Sequence, residues 1–271
     1  MSLVETDWLE KNLDNVKIID CSWHMPQTKR NGYEEYKKYH IPNSIFFDLD
    51  KNSETETDLP HMLVSLERWE NIVSDMGINN DDMIIIYDNS DVISACRCWY
   101  NFIFFGHKPE LVKVLNGGLE KWIKEDKAKD DIIPKITKTK YIAKENKNLV
   151  KNKNEIDKNI VENNFFVIDA RNIERFKGNV KEPRAGLRSG NIKNSTCIPF
   201  NLLINSDKTF KSTKEISIIF FENLKNLSLN NIVFSCGSGV TACVLALAYS
   251  LINGKYLPII YDGSWAEYGK I

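Results

Sequence analysis

The chain has 271 residues, of which 42% are hydrophobic, and 36 Lys and Arg stand against 37 Asp and Glu for a formal net charge of −1. Domains typically run to roughly 100–200 residues, so this length fits one large or two ordinary domains with real cores. The balanced charge excludes the broad basic footprint of a nucleic-acid-binding protein, so any anion site must be local. No stretch approaches the roughly 18 uncharged apolar residues that span a bilayer. The start, Met1-Ser2-Leu3-Val4-Glu5-Thr6-Asp7-Trp8, lacks the basic segment and apolar run of a secretory leader. A soluble, cytoplasmic protein is expected.

In chain order, Val16-Lys17-Ile18-Ile19-Asp20 reads as a short buried strand. Leu66, Trp69 and Val73 fall at helical spacing. Met83-Ile84-Ile85-Ile86-Tyr87-Asp88 reads as a second strand, and Asn116-Gly117-Gly118-Leu119-Glu120-Lys121-Trp122 as a turn entering a helix. The Lys- and Asn-rich stretch from Lys138 to Asn159 has no interleaved aromatics, so it reads as a solvated linker running into a helix rather than a nucleic-acid patch. Phe165–Ala170 and Asn231–Cys236 are again strand-like, and Thr241–Asn253 is a strongly apolar helix with Gly254 as its expected C-cap.

These segments repeat. Asp20 and Asp169 lie 149 positions apart, Asp88 and Cys236 148, and Asn116 and Asp262 146. Three matches in one order at a nearly constant offset indicate two copies of one domain. Continuous apolar runs without alternation point to parallel strands buried on both faces, with helices as crossovers. The expected class is α/β: tandem duplicated domains, each a mainly parallel sheet flanked by helices. The expected bounds are 1–136, a linker over 137–153, and 154–271.

In open parallel sheets ligands bind at the carboxyl ends of strands. There the copies differ: one loop begins Asp88-Asn89-Ser90-Asp91, the other reads Cys236-Gly237-Ser238-Gly239-Val240-Thr241. Gly237 and Gly239 let the chain curl with its N–H groups inward. The following helix N-terminus adds positive potential, which should lower the thiol pKa of Cys236. A bland alternative makes Cys236 a buried cysteine before a helix, but two glycines and a serine are a costly way to build a plain turn. The other five cysteines, Cys21, Cys96, Cys98, Cys197 and Cys243, read as small buried hydrophobes. No pair has zinc or thioredoxin-like C-x-x-C spacing, so no metal and no cofactor is expected. Phosphatase chemistry needs an arginine six positions after the cysteine, and position 242 is alanine.

The run Cys-Gly-Ser-Gly-Val-Thr-Ala-Cys at 236–243, followed by Tyr261-Asp262-Gly263-Ser264-Trp265, closely resembles the 3-mercaptopyruvate sulfurtransferases of the rhodanese superfamily. The resemblance extends over almost the whole chain. Asp20–Pro26, Tyr39–Pro42 and Phe46–Asp50 fit the family's inactive first domain. Asp169-Ala170-Arg171, Arg175–Gly178 and Glu182-Pro183-Arg184 fit the active second one.

The resemblance implies tandem rhodanese-like domains and a sulfur transfer in which Cys236 is nucleophile and persulfide carrier. It makes Arg175 and Arg184 substrate-binding, together with the loop residues Gly237, Gly239, Val240 and Thr241. A guanidinium suits the donor's carboxylate and ketone; read without the resemblance, these arginines would be surface partners of Glu174 or Glu182. It further implies a relay of Ser238, His61 and Asp50. Since Asp50 and His61 fall in the first copy, the site is expected between domains. The implied acceptor is a thiol, such as thioredoxin, or cyanide, and a monomer is favoured. Departures occur where the family carries Gly-His-Ile-Pro-Gly-Ala: here Tyr39-His40-Ile41-Pro42-Asn43-Ser44 and Gly190-Asn191-Ile192-Lys193-Asn194-Ser195. Two rivals remain, a thiosulfate:cyanide sulfurtransferase, against which the neutral Gly237 and Ser238 argue, and a non-enzymatic module that binds a sulfur carrier.

Overall fold

A computed structural model of the chain describes residues 2–224 and 231–271. The chain divides into two compact units. The first comprises Met1–Glu54, Leu63–Asn146 and Ser206–Thr209, the second Thr55–Met62, Lys147–Asn205 and Phe210–Ile271.

In the first unit the elements are β1 (Leu3–Val4), α1 (Thr6–Glu10), β2 (Lys17–Asp20), α2 (Gly32–Lys38), β3 (Ser44–Phe46), α3 (Leu66–Asp75), β4 (Ile84–Tyr87), α4 (Ala95–Phe104), β5 (Val112–Leu115) and α5 (Gly118–Lys124). The strands form one parallel sheet in the order β1-β5-β4-β2-β3. Ile18 pairs with Ile85 and Ile19 with Ile86, and all four are fully buried. Helices cover both faces, so β2 and β4 carry unbroken apolar runs. At the start of α3, Ser65 caps by accepting the Arg68 N–H. Trp69 then packs against Phe47, Phe102 and Phe105.

The second unit contains β6 (Val150–Lys151), α6 (Lys153–Glu162), β7 (Phe166–Asp169), α7 (Ile173–Lys177), β8 (Thr196–Cys197), α8 (Thr213–Leu224), β9 (Ile232–Ser235), α9 (Val240–Ile252), β10 (Ile260–Tyr261) and α10 (Ser264–Tyr268). Its strand order, β6-β10-β9-β7-β8, repeats the first sheet's, again all parallel. The fold is therefore two five-stranded parallel α/β units of one topology.

Three details differ from expectation. The Lys- and Asn-rich stretch runs as expected into a helix, α6, which opens on a capping box between Asn152 and Glu155, but before it Val150 and Lys151 pair with β10 as a strand. Helix α9 ends at Ile252 with the extended residue Asn253 as its C-cap, so Gly254 does not supply a left-handed cap. His61, assigned by chain position to the first copy, belongs with Thr55–Met62 to the second unit. Among the described residues no helix is long and apolar enough to cross a membrane, and no group of three or more His, Cys, Asp or Glu could hold a metal.

Candidate active site

Cys236 directly follows β9, the central strand of its sheet, and is 2% exposed. The chain curls over four residues into α9, with Gly239 at φ 77° as the N-cap; glycine takes this left-handed backbone without steric cost. The loop is braced from α10. The Cys236 N–H donates to Ser264 Oγ at 3.1 Å, Trp265 N–H donates to the Cys236 carbonyl at 2.9 Å, and Ala266 N–H to that of Gly237 at 2.8 Å. Ser264 is fully buried at φ 48° and donates its hydroxyl to the Tyr261 carbonyl at 2.8 Å. The first unit has the same brace, Leu119 N–H to the Asp88 carbonyl at 2.9 Å, with Gly118 at φ 55° in the place of Ser264. Ser264 escaped the sequence reading as a site residue; its signal is the 146-position offset that pairs it with Gly118.

Two guanidiniums stand over the loop. A β-carbon placed on Gly237 would lie 3.3 Å from Arg175 Nη2 and 3.7 Å from Arg184 Nη1. Glycine at 237 leaves this space open, and a side chain there would press first on Arg175 Nη2. Arg175 is carried by α7, whose N-cap Asn172 accepts the Glu174 N–H and which ends at Gly178 with φ 80°. Its Nε and Nη2 donate to the two carboxylate oxygens of Glu182 at 3.2 and 2.6 Å. The Glu182 side chain is only 1% exposed and also receives Arg171 Nη1 at 3.0 Å. Read without the resemblance, Glu182 is one of two surface partners for these arginines; the structure buries it, and nothing local in the sequence announces that a loop glutamate will lie between two arginines.

Ser238 is the meeting point. Its hydroxyl lies 3.0 Å from His61 Nδ1 and 3.4 Å from Arg184 Nη2. Ser238 and His61 are 6% and 4% exposed, and His61 holds a left-handed backbone at φ 62°, a conformation that clusters at functional sites when a side chain is present. Val240 is buried and Thr241 partly so in the first turn of α9. Of the residues expected at the site, the second unit brings together Cys236, Gly237, Ser238, Gly239, Arg175, Arg184 and His61. Asp50 belongs to the first unit, where its two carboxylate oxygens accept the Trp23 indole N–H, each at 3.0 Å.

The other cysteines are buried and uncrosslinked. Burial pushes the Cys197 thiol up to about 12, and Cys21 well above its ordinary value, which makes both poor nucleophiles. Cys243 donates its thiol to the Gly239 carbonyl at 3.1 Å, one turn from the loop. In the first unit the residue matching Cys236 is Asp88, and it is engaged within its own loop. Asp88 accepts the N–H groups of Ser90 and Ala95 at 2.9 and 2.7 Å, and burial pushes its carboxyl up to about 6.

A buried cysteine follows a strand end, with two guanidiniums over the next residue and a serine–histidine pair beside it, an arrangement suited to chemistry through a thiol. Comparison with known proteins is specific. A rhodanese-like domain model matches residues 5–125. The chain is 38% identical over 290 residues to thiosulfate/3-mercaptopyruvate sulfurtransferase 1, mitochondrial, of Arabidopsis thaliana, covering 98% of this chain and 75% of that protein. It is 35% identical to the 3-mercaptopyruvate sulfurtransferase of Escherichia coli K12, covering 98% and 94%, and 34% identical to rat thiosulfate sulfurtransferase, covering 98% and 91%. The crystal structure of SseA from Escherichia coli, described as a 3-mercaptopyruvate sulfotransferase, superposes with a TM-score of 0.87 at 33% identity, covering 98% of this chain and all of that one. The chain belongs to the rhodanese family of two-domain sulfurtransferases.

Proposed function

We propose that this sulfurtransferase takes sulfur from 3-mercaptopyruvate onto Cys236 and passes it to a thiol acceptor, releasing pyruvate. The observation that carries the reading is the convergence of Arg175 and Arg184 on Gly237, next to Cys236 in the loop between β9 and α9. A 3-mercaptopyruvate carboxylate and ketone match two guanidiniums held over Gly237, the residue after the sulfur-accepting cysteine. The Cys236 thiolate attacks the substrate sulfur, and the carbon–sulfur bond breaks with its electron pair moving to carbon. Cationic N–H donors at the ketone favour the resulting enolate. The proton of the substrate thiol reaches that carbon through Ser238 and His61, and pyruvate leaves. An acceptor thiolate then attacks the outer sulfur of the Cys236 persulfide and restores the cysteine. Gly237, Gly239, Val240 and Thr241 shape the cradle.

Thiosulfate is the second reading. The neutral Gly237 and Ser238 spoke against a dianionic donor, but cationic charge reaches the loop from Arg175 and Arg184 instead. Rat thiosulfate sulfurtransferase is also among the similar proteins. Glu182 neutralises much of the Arg175 charge, which favours the monoanionic donor. Comparing kcat/KM for the two donors decides between them. Mass spectrometry after 3-mercaptopyruvate treatment should find one added sulfur on Cys236, and Cys236→Ser should release no pyruvate; an unmodified Cys236, or turnover by the variant, would overturn the mechanism. Six uncrosslinked cysteines suit a reducing compartment such as the cytoplasm; a monomer with thioredoxin as its thiol acceptor is the rest of the proposal.

A further inference from the structure

We infer that Glu182, itself held by Arg171, is the positioning residue that aims Arg175 at the donor, and so sets the rate of sulfur loading rather than of sulfur discharge. The inference rests on the donor-binding role proposed for Arg175. Four side chains of alternating charge run Asp169, Arg171, Glu182, Arg175. Arg171 grips Asp169 through Nε and Nη2 at 2.9 and 2.8 Å and Glu182 through Nη1 at 3.0 Å. The side chains of Asp169, Arg171 and Glu182 are 1–2% exposed, whereas that of Arg175 is 23% exposed. The buried members are therefore scaffold, and the charge is delivered at the Arg175 end.

Two observations separate this chain of charges from mere fold maintenance. The first is the duplication. Asp169 turns the chain by accepting the N–H of residue 171 at 2.8 Å, and Asp20 makes the same turn with the N–H of Ser22 at 2.9 Å. The turn is complete in the first unit with serine where the second has Arg171, so the fold does not require that arginine. The second is energetic. Buried ion pairs rarely stabilise more than apolar side chains of equal volume, because desolvation offsets the attraction. What they provide is orientation. Glu182 occupies the Nε–Nη2 edge of Arg175, which leaves Nη1 and the second N–H of Nη2 to face a ligand. The network is also tied to the nucleophile: the Arg171 guanidinium lies 4.4 Å from the ring centre of Trp265, whose backbone N–H holds the Cys236 carbonyl.

The test is Glu182→Gln in the full chain, alone and combined with Arg175→Met. The two half-reactions are followed separately by the mass of the Cys236 adduct over time, which registers even severely slowed variants. Loading from 3-mercaptopyruvate should fall about a hundredfold in Glu182→Gln, the scale of a roughly 1 Å misplacement of a binding group. Discharge of the preformed persulfide to dithiothreitol should stay within about twofold, and Glu182→Asp should recover part of the loading rate. In the Arg175→Met background the second substitution should cost less than about twofold more, since groups that act through one another are not additive. Equal losses in both half-reactions, additive losses in the double variant, or an unchanged loading rate would each overturn the inference. If the wild type loads from thiosulfate but not from 3-mercaptopyruvate, the donor assignment fails, and the same cycle run with thiosulfate still decides the role of Glu182. If neither donor loads Cys236, both fall.

Discussion

Replacing Ser238 with alanine separates a working hydroxyl from a structural one, because the two roles predict effects of very different size. The hydroxyl makes one good contact, 3.0 Å to His61 Nδ1, and one long contact, 3.4 Å to Arg184 Nη2. Deleting it costs about 1 kcal/mol of folding stability, the usual net worth of such a bond. A domain with about 5–15 kcal/mol of stability stays more than about 99% folded after that loss. If the contact only holds the loop together, the turnover rate at room temperature should hardly change. If the hydroxyl aligns His61 and carries the proton to the departing carbon, its loss removes a transition-state contact. The rate should then fall about a hundredfold, equivalent to about 2.7 kcal/mol of barrier. His61 sharpens the contrast: its left-handed backbone costs about 1–2 kcal/mol for a residue with a β-carbon, a cost the fold bears while placing the ring against Ser238. Pyruvate release under excess thiol, measured alongside thermal unfolding, reads both quantities. A kcat/KM within twofold of wild type, with only the small fall in stability, would refute the relay.

Two further outcomes test the frame around the site. Gly118→Ala should destabilise the first unit by more than about 2 kcal/mol in denaturant titration, because a β-carbon at φ 55° would lie 2.4 Å from the Asp88 carbonyl oxygen; unchanged stability would contradict the brace. Burial pushes the carboxyls of Asp20 and Asp88 up to about 6 from 3.8. An acid whose folded pKa is raised stabilises the fold fully below about pH 4, and that contribution is lost as pH rises through about 6. Asp88→Asn should therefore flatten the fall in stability between pH 4 and 6, and an unchanged slope would show that Asp88 does not titrate there.

What was legible in the sequence follows from how far each feature depends on its neighbours along the chain. The strands Lys17–Asp20, Ile84–Tyr87 and Ile232–Ser235 are buried on both faces, so each announces itself as an apolar run. The Cys236 loop was legible because glycine at 237 and 239 has a local steric meaning. Strands β1 and β6 are two residues long and carry no periodicity to read. The position of His61 was missed because the segment 55–62 joins the second unit through tertiary contacts, among them the Lys270 ammonium, which holds the Asp58 carboxylate at 2.7 Å. Glu182 was missed for a related reason. Its burial depends on Arg171 and Arg175 arriving from another loop and a helix, and sequence distance alone does not fix such a meeting.

The two copies differ at the end of the central strand, and the difference is not one of fold. In both units a central parallel strand delivers a residue into a loop at the start of a helix, and a carbonyl of that residue is braced by the short helix that follows the last strand. In the first unit the delivered residue is a carboxylate that saturates the loop's own N–H groups, at Ser90 and Ala95. The neighbouring Arg30 is turned onto Glu35 and the Asn89 carbonyl. That copy supplies its own anion. In the second unit the delivered residue is a thiol, the six residues of the loop contain no acid, and the next residue is a glycine over which two guanidiniums can close. A single exchange of Asp88 for cysteine should therefore not create a second sulfur-accepting site. The second copy holds together the thiol, the glycine beside it and the buried Arg171–Glu182 pair behind Arg175, and an exchange at position 88 alone supplies only the first of these.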